Sequence, residues 1–256
     1  MVALIAGKKI YSFDETKHLH YLTLENGEQK PLIGTTAALS VLSKELTWWA
    51  SGMAVGTMGW SNPKNVKVAD LESKASEALA SIKKMELDEY ITLLNLAYRA
   101  HSVKKDKSAD EGVSLHTAIE DWIKNEIAGQ EQFPLTDDRI KAFVEWSKQN
   151  VKKFLFSELH CYSETLFCGG IADFGYIDKN EKVVLADIKS SKQPYFGHWA
   201  QAGAYHLQIA ENGGFDADGK KLLERQEFDY HAIFCAGKGL DKPFFNHNTT
   251  ATRKAF

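Results

Sequence analysis

The spacing of apolar residues divides the chain into an opening hairpin, a helical stretch, a run of strands, and a closing helix and strand. In KKIYSFDETKHLHYLTLENGEQKPLIG, apolar positions flank Asn26-Gly27, a dipeptide suited to a hairpin turn. Thr35 or Thr36 is placed to cap a helix running through Leu39, Val41, Leu42, Leu46, Trp48 and Trp49, which Gly56, Gly59 and Pro63 then interrupt. Two runs at three-to-four spacing follow, first Leu71, Ala75, Leu79, Ile82 and Met85, then Tyr90, Leu93, Leu94 and Ala97. They predict one or two amphipathic helices whose apolar face is core.

The charged stretch His101 to Glu111 reads as a loop before a helix in GVSLHTAIEDWIKNEI, and DDRIKAFVEWSKQNVKKFL carries a second helical pattern. The period then drops to two across FSELHCYSETLF, GGIADFGYID and KVVLADIKSS, which predicts three successive strands. A helix from Phe196 to Glu211, a Gly-rich turn and a late strand in EFDYHAIFCAG complete the order. The expected organisation is one domain over 1–256, with a hairpin and helical region at 1–106 and a mixed α/β core at 107–256.

Composition sets limits on what this core does. The 256 residues are 44% hydrophobic and 25% charged with a formal net charge of −3, so any nucleic-acid site must be a local patch. The three cysteines, Cys161, Cys168 and Cys235, are too few for a four-thiolate iron–sulfur cluster and are expected reduced, in a cytoplasmic setting. MVALIAGKKIYSFDE lacks the basic-then-apolar order of a secretory leader, and apolar runs fall short of a membrane span.

Two strands carry carboxylates in apolar surroundings, Asp173 in GGIADFGYID and Asp187 in VVLADIKSS. A lone buried carboxylate costs several kcal/mol, roughly, unless something compensates it. Strand alternation puts Asp187 and Lys189 on one side and Ile188 in the core. An isolated Asp-x-Lys is usually an ion pair on a strand face. Here Asp173 precedes it after Gly169-Gly170, a pair that lets the backbone turn tightly, and a hairpin between the two strands would bring both acids together for Mg²⁺ or Mn²⁺.

His116, on a helix with Leu115, Ile119 and Trp122, is a third candidate ligand, although a helical histidine is more often structural. Glu120 lies one turn further on, and Glu164, read in the strand before Asp173, is placed to bond a metal-bound water or Lys189. Gln201 and Tyr205 share a helix face, which suits either a helix-to-sheet hydrogen bond or contact with substrate.

Taken in order, GVSLHTAIE, SETLFCGGIADFGYID, VVLADIKSS and HWAQAGAYHLQ resemble the RecB-like branch of the PD-(D/E)xK nucleases. IGTTAALSVLSKELTWWASGMA also looks like the lead-in of the phage-encoded and mitochondrial genome maintenance exonucleases of that branch. Ala172 replaces the proline of the family name. The resemblance implies a restriction-endonuclease-like central mixed sheet flanked by helices, with a helical N-terminal region and no iron–sulfur cluster. It implies that His116, Asp173, Asp187 and the Ile188 carbonyl hold the metal, that Lys189 is catalytic, and that Gln201 and Tyr205 support it. The activity implied is a metal-dependent DNA exonuclease, acting on DNA with a free end in phage or recombination and repair processing, alongside single-strand-binding or recombination proteins, in the host cytoplasm if phage-encoded. Lys152, Lys153, Lys192, Lys220, Lys221 and Arg225 are candidates to grip phosphates, and Trp48, Trp49, Tyr195 and Trp199 to stack bases. The rival expectations are a catalytically silent nucleic-acid-binding protein, a structure-specific endonuclease, or a hydrolase of small phosphoesters.

Overall fold

A computed structural model describes residues 10–40, 47–60 and 71–256. It is a mixed α/β structure in which a large mixed sheet has the order β11-β10-β7-β6-β5-β8-β9, with β4 also pairing β6. A small antiparallel sheet, β1 (Ile10–Asp14), β2 (Leu19–Thr23) and β3 (Gln29–Pro31), precedes it. The Asn26-Gly27 turn joins β2 to β3, where Gly27 takes φ +81, but β1 adds a second hairpin that the pattern did not predict.

By internal contacts the chain divides into two compact units, 1–43 with 112–256, and 44–111. The second contains α2 (Thr47–Thr57), α3 (Leu71–Ile82) and the first part of α4 (Leu87–Ala128). Helices stand where the two periodic runs predicted them. Their stripe is only partly core: Ala97 is buried, whereas Leu79 and Leu94 are exposed. A spacing rule makes a stripe, and an opposing element is still needed to bury it. Val41, Leu42, Leu46 and Pro63 lie outside the described residues.

Two expectations about helix limits fail. His101 to Glu111 is not a loop but part of α4, because its Lys, Ala, Glu and Asp residues are compatible with a helix and no proline interrupts them. The helix α5 (Asp138–Asn150), capped by the Asp137 side chain on Arg139 N, stops before VKKFL, which opens β5 (Val151–Ser163). Register shifts between Val151 and Lys153 and between Phe154 and Phe156 disturb the two-residue alternation. Val151 and Phe154 are therefore both buried at a three-residue spacing that mimics a helix.

β5, β6 (Cys168–Asp178) and β7 (Val183–Lys189) form the expected antiparallel run. β10 (Tyr230–Cys235) returns parallel to β7, and α6 (Phe196–Asn212) supplies the long crossover that a parallel pair requires. One face of the sheet is covered by α4 and α5, where Ile119, Trp122, Phe143 and Val144 meet Phe174, Ala186, Ile188 and Phe234. On the other, Tyr205 and Ile209 of α6 pack on Leu159, Ala172 and Leu185. The short strands β4 (Ile33–Gly34), β8 (Gly214–Phe215), β9 (Lys221–Leu223) and β11 (Phe244–Asn246), and the helices α1 (Thr35–Leu39) and α7 (Thr249–Ala255), were not read from the pattern as separate elements.

Candidate functional site

The ladder between β6 and β7 ends at Phe174 opposite Ala186, so the next residues outward are Asp173 and Asp187. At that point the Ile188 N–H donates to Asp173 Oδ2 at 2.6 Å, a side chain taking a ladder bond. Ile188 itself is buried in the core, and Asp187 and Lys189 share the opposite side, where Lys189 Nζ lies 2.7 Å from Asp187 Oδ2. His116 comes from α4, its Nδ1 3.6 Å from Asp173 Oδ2 and its ring against the Ile188 main chain. Four of the residues predicted for the metal centre are thus adjacent.

The electrostatics are strained. The Asp187 side chain is 2% exposed, and although Lys189 neutralises it as an ion pair, neither oxygen has a hydrogen bond of usable geometry. Burial, opposed by Lys189 and reinforced by Asp173, pushes Asp187 up to about 6. Burial also raises Asp173, with Lys189 and the Ile188 N–H pulling the other way. Burial opposes charge on Lys189, yet the two aspartates outweigh it and hold the ammonium protonated. For His116, burial dominates and lowers its pKa, favouring the neutral imidazole that can serve as a ligand.

A cation fits this chemistry. Two adjacent carboxylates, a neutral imidazole and a main-chain carbonyl are a hard, mostly oxygen donor set suited to Mg²⁺ or Mn²⁺. Among the described residues no three His, Cys, Asp or Glu side chains are gathered at metal-binding spacing. The Ile188 carbonyl would have to complete the set.

The helix α6 closes the site from the other side. Gln201 Nε2 donates to the Tyr205 hydroxyl at 2.8 Å, and Tyr205 is buried, its pKa raised by that burial and by Asp187. Gly169-Gly170 does not form a turn, as the sequence suggested, but lies within β6. Its role is room: a Cβ on Gly170 would stand 2.5 Å from Tyr205 Cε1 and 2.8 Å from Thr35 Oγ1. Thr35 does not cap a helix either. Gly34 precedes α1 without a side-chain cap, and the Thr35 hydroxyl donates to Gly169 O while accepting from Gln208.

Glu164 is not brought to the centre. It follows β5 at the far end of the β5–β6 hairpin, where its main-chain N–H donates to Glu211. The acid opposite Asp173 is Glu158, at φ +53 in β5, with its carboxylate 3.1 Å from Lys124, which also pairs with Glu120. Burial and then Glu158 push Glu120 up to about 7. Glu158 was missed, although counting back from the β5–β6 turn finds it: the register runs unbroken from Ser163 opposite Cys168 to Ser157 opposite Phe174. His198 was missed too, although it falls three residues before Gln201 on the same face, and Lys189 is its charged neighbour.

The candidate DNA contacts are dispersed. Lys192 and Tyr195 are exposed in the segment leading to α6, but Trp199 is partly buried against Ile233 and Cys235. Lys152 pairs with Glu181, and Lys152 and Lys153 start β5 at the end remote from Asp173. Lys221 pairs with Glu224, and with Lys220 and Arg225 it lies at or beside β9, the other edge of the sheet. Trp48 and Trp49 fall in α2, with side chains outside those described. The three cysteines are free and buried, and no described helix is long and apolar enough to cross a membrane.

No family model matches this chain, and no curated protein matches it.

Proposed function

We propose that the chain is a divalent-metal-dependent deoxyribonuclease, with exonuclease action on DNA ends as the favoured mode. The observation that carries the reading is the buried Asp187 carboxylate, which has the Lys189 ion pair as its one polar partner among the described residues and stands beside Asp173 and His116. A protein has little reason to keep such a group for stability, and strained ionisable clusters are concentrated at functional sites.

In this reading Asp173, Asp187, His116 and the Ile188 carbonyl hold Mg²⁺ or Mn²⁺. When bound, the cation would supply charge for the scissile phosphate and lower the pKa of an attacking water. Lys189, held charged by the two aspartates, orients that water and offsets charge developing on the phosphate. Gln201 and Tyr205 form a hydrogen-bonded prop behind the acids. A free DNA end, recombination-type partners and a phage setting follow from the sequence resemblance alone.

The test uses end-labelled single- and double-stranded DNA, linear and circular, with Mg²⁺, Mn²⁺ or EDTA. The expected result is metal-dependent cleavage of linear DNA, sparing circles, lost in Lys189→Ala with DNA binding retained. Cleavage of circles would replace the exonuclease mode by an endonuclease, and no metal-dependent cleavage of any DNA form would overturn the proposal.

A further inference from the structure

We propose that His198 is a substrate-contacting residue, whose Nε2–H donates to a non-bridging oxygen of the scissile phosphodiester beside Lys189. This rests on the nuclease reading above and adds a group that the motif resemblance does not supply.

The inference starts from a hydrogen bond of fixed direction. The Tyr195 main-chain N–H lies 3.2 Å from His198 Nδ1. A main-chain N–H can only donate, so Nδ1 must carry a lone pair, and the proton of the neutral ring must sit on Nε2. Burial, and then Lys189, hold the imidazole neutral, pulled down to about 4. Among the described residues no acceptor meets Nε2. The tautomer is therefore set by the backbone at the start of α6, with a donor left over.

Position gives that donor its target. His198, Gln201 and Tyr205 recur three and four residues apart, one face of α6, and Tyr205 packs on Ala172 and Leu185, next to the two aspartates in β6 and β7. Lys189, at the end of β7, is the charge that reaches His198 and helps to lower its pKa. The ammonium, paired on one side with Asp187, and the imidazole N–H are both donors, and an anionic oxygen can accept from both. In a phosphodiester held by a cation at Asp173 and Asp187, a non-bridging oxygen would fill that place. Lys192 and Tyr195, exposed just before α6, are positioned to follow the strand away from it.

The two roles of the ring can be separated by two amides. His198→Asn keeps an acceptor near Nδ1 and removes the distal donor, whereas His198→Gln keeps an N–H near Nε2 and removes the acceptor. His198→Asn is expected to melt within a degree or two of wild type and to lose about 100-fold in kcat, the scale of one transition-state donor. His198→Gln should melt lower and keep its rate within about fivefold. A phosphorothioate at the scissile position gives an independent readout. Wild type should favour one diastereomer, and His198→Asn should narrow that preference. The reverse pattern, with His198→Asn fully active and His198→Gln slow, would leave the ring as a helix cap and overturn the inference while the nuclease reading stands. A wild-type protein that cleaves no DNA would remove the nuclease reading itself.

Discussion

Two polar clusters are buried on the same sheet, and they are built oppositely. At the end of β7, Asp187 has no polar partner among the described residues beyond the Lys189 ion pair, and both aspartates have raised pKa values. Between α6, β10 and α7 the groups are satisfied in sequence. The Thr252 hydroxyl donates to Thr249 O and so accepts from His231 Nδ1, and His231 Nε2 accepts from His206 Nδ1. The Phe228 N–H donates to His206 Nε2, the lone pair that this tautomer leaves, and Glu227 outside it is paired with Arg253. Both histidines are 0% exposed. A closed network rigidifies a fold, whereas an open one is tolerated where something outside the chain completes it.

The sharpest way to break this contrast is to compare Asp187→Ala with His231→Leu. Cleavage by Asp187→Ala should fall by about 10³-fold or more at unchanged fold, whereas His231→Leu should cut at the wild-type rate per folded molecule. Equal losses in the two would erase the distinction. Metal supplies the next largest effect. Mn²⁺ at about 100 times its dissociation constant should raise the unfolding free energy by about 2.7 kcal/mol, through binding to the folded form alone. Asp187→Ala should lose that gain, and His231→Leu should keep it; calorimetry with and without EDTA reads both.

Much of this contrast was legible in the sequence, but unevenly. Asp187, Ile188 and Lys189 were placed correctly because strand alternation is local and β7 runs without a bulge. Asp173 followed from the hairpin, although Gly169-Gly170, expected to turn the backbone before it, lies within β6. Glu164 was read in place of Glu158 because the period-two pattern runs on to Phe167, whereas β5 ends at Ser163 and the turn takes Glu164 out of the strand. The His206–His231 network was invisible for a different reason. It joins α6, β10 and α7, and only the tertiary crossover brings these together. His198 did show a helical spacing with Gln201 and Tyr205, but spacing without a tautomer gave it no role.

The closed network should also be the acid-sensitive one. Burial, then His206 and Arg253, pull His231 down to about 3, while an unfolded histidine titrates near roughly 6.5. As pH falls, the unfolded chain takes up this proton first. His231 therefore contributes fully above the unfolded value, and its contribution is lost as pH falls toward the folded one, at about 1.4 kcal/mol per unit. In metal-free protein His231→Leu should cost about 2 kcal/mol at pH 7, since it strands the His206 donor and the Thr252 acceptor. It should also flatten the stability profile between pH 6 and 4 by close to one proton. A slope identical to wild type in urea titrations would place the titrating group elsewhere.

The smallest effect is the most diagnostic, because its sign runs against intuition. Asp187→Asn combined with Lys189→Met removes both charges of a largely buried ion pair and leaves side chains of similar volume. Desolvation of such a pair commonly equals or exceeds its Coulomb gain, so replacing both partners is neutral or stabilising. Here the carboxylate gains no hydrogen bonds to offset that cost. The Asp173 carboxylate keeps the Ile188 N–H, so one anchor of the strand end survives. The double variant is expected to unfold at a urea concentration equal to or above wild type, by about 1 kcal/mol, while losing cleavage. A loss of stability on the scale of His231→Leu would mean that Asp187 and Lys189 are held for the fold, and the two clusters would then differ in geometry but not in purpose.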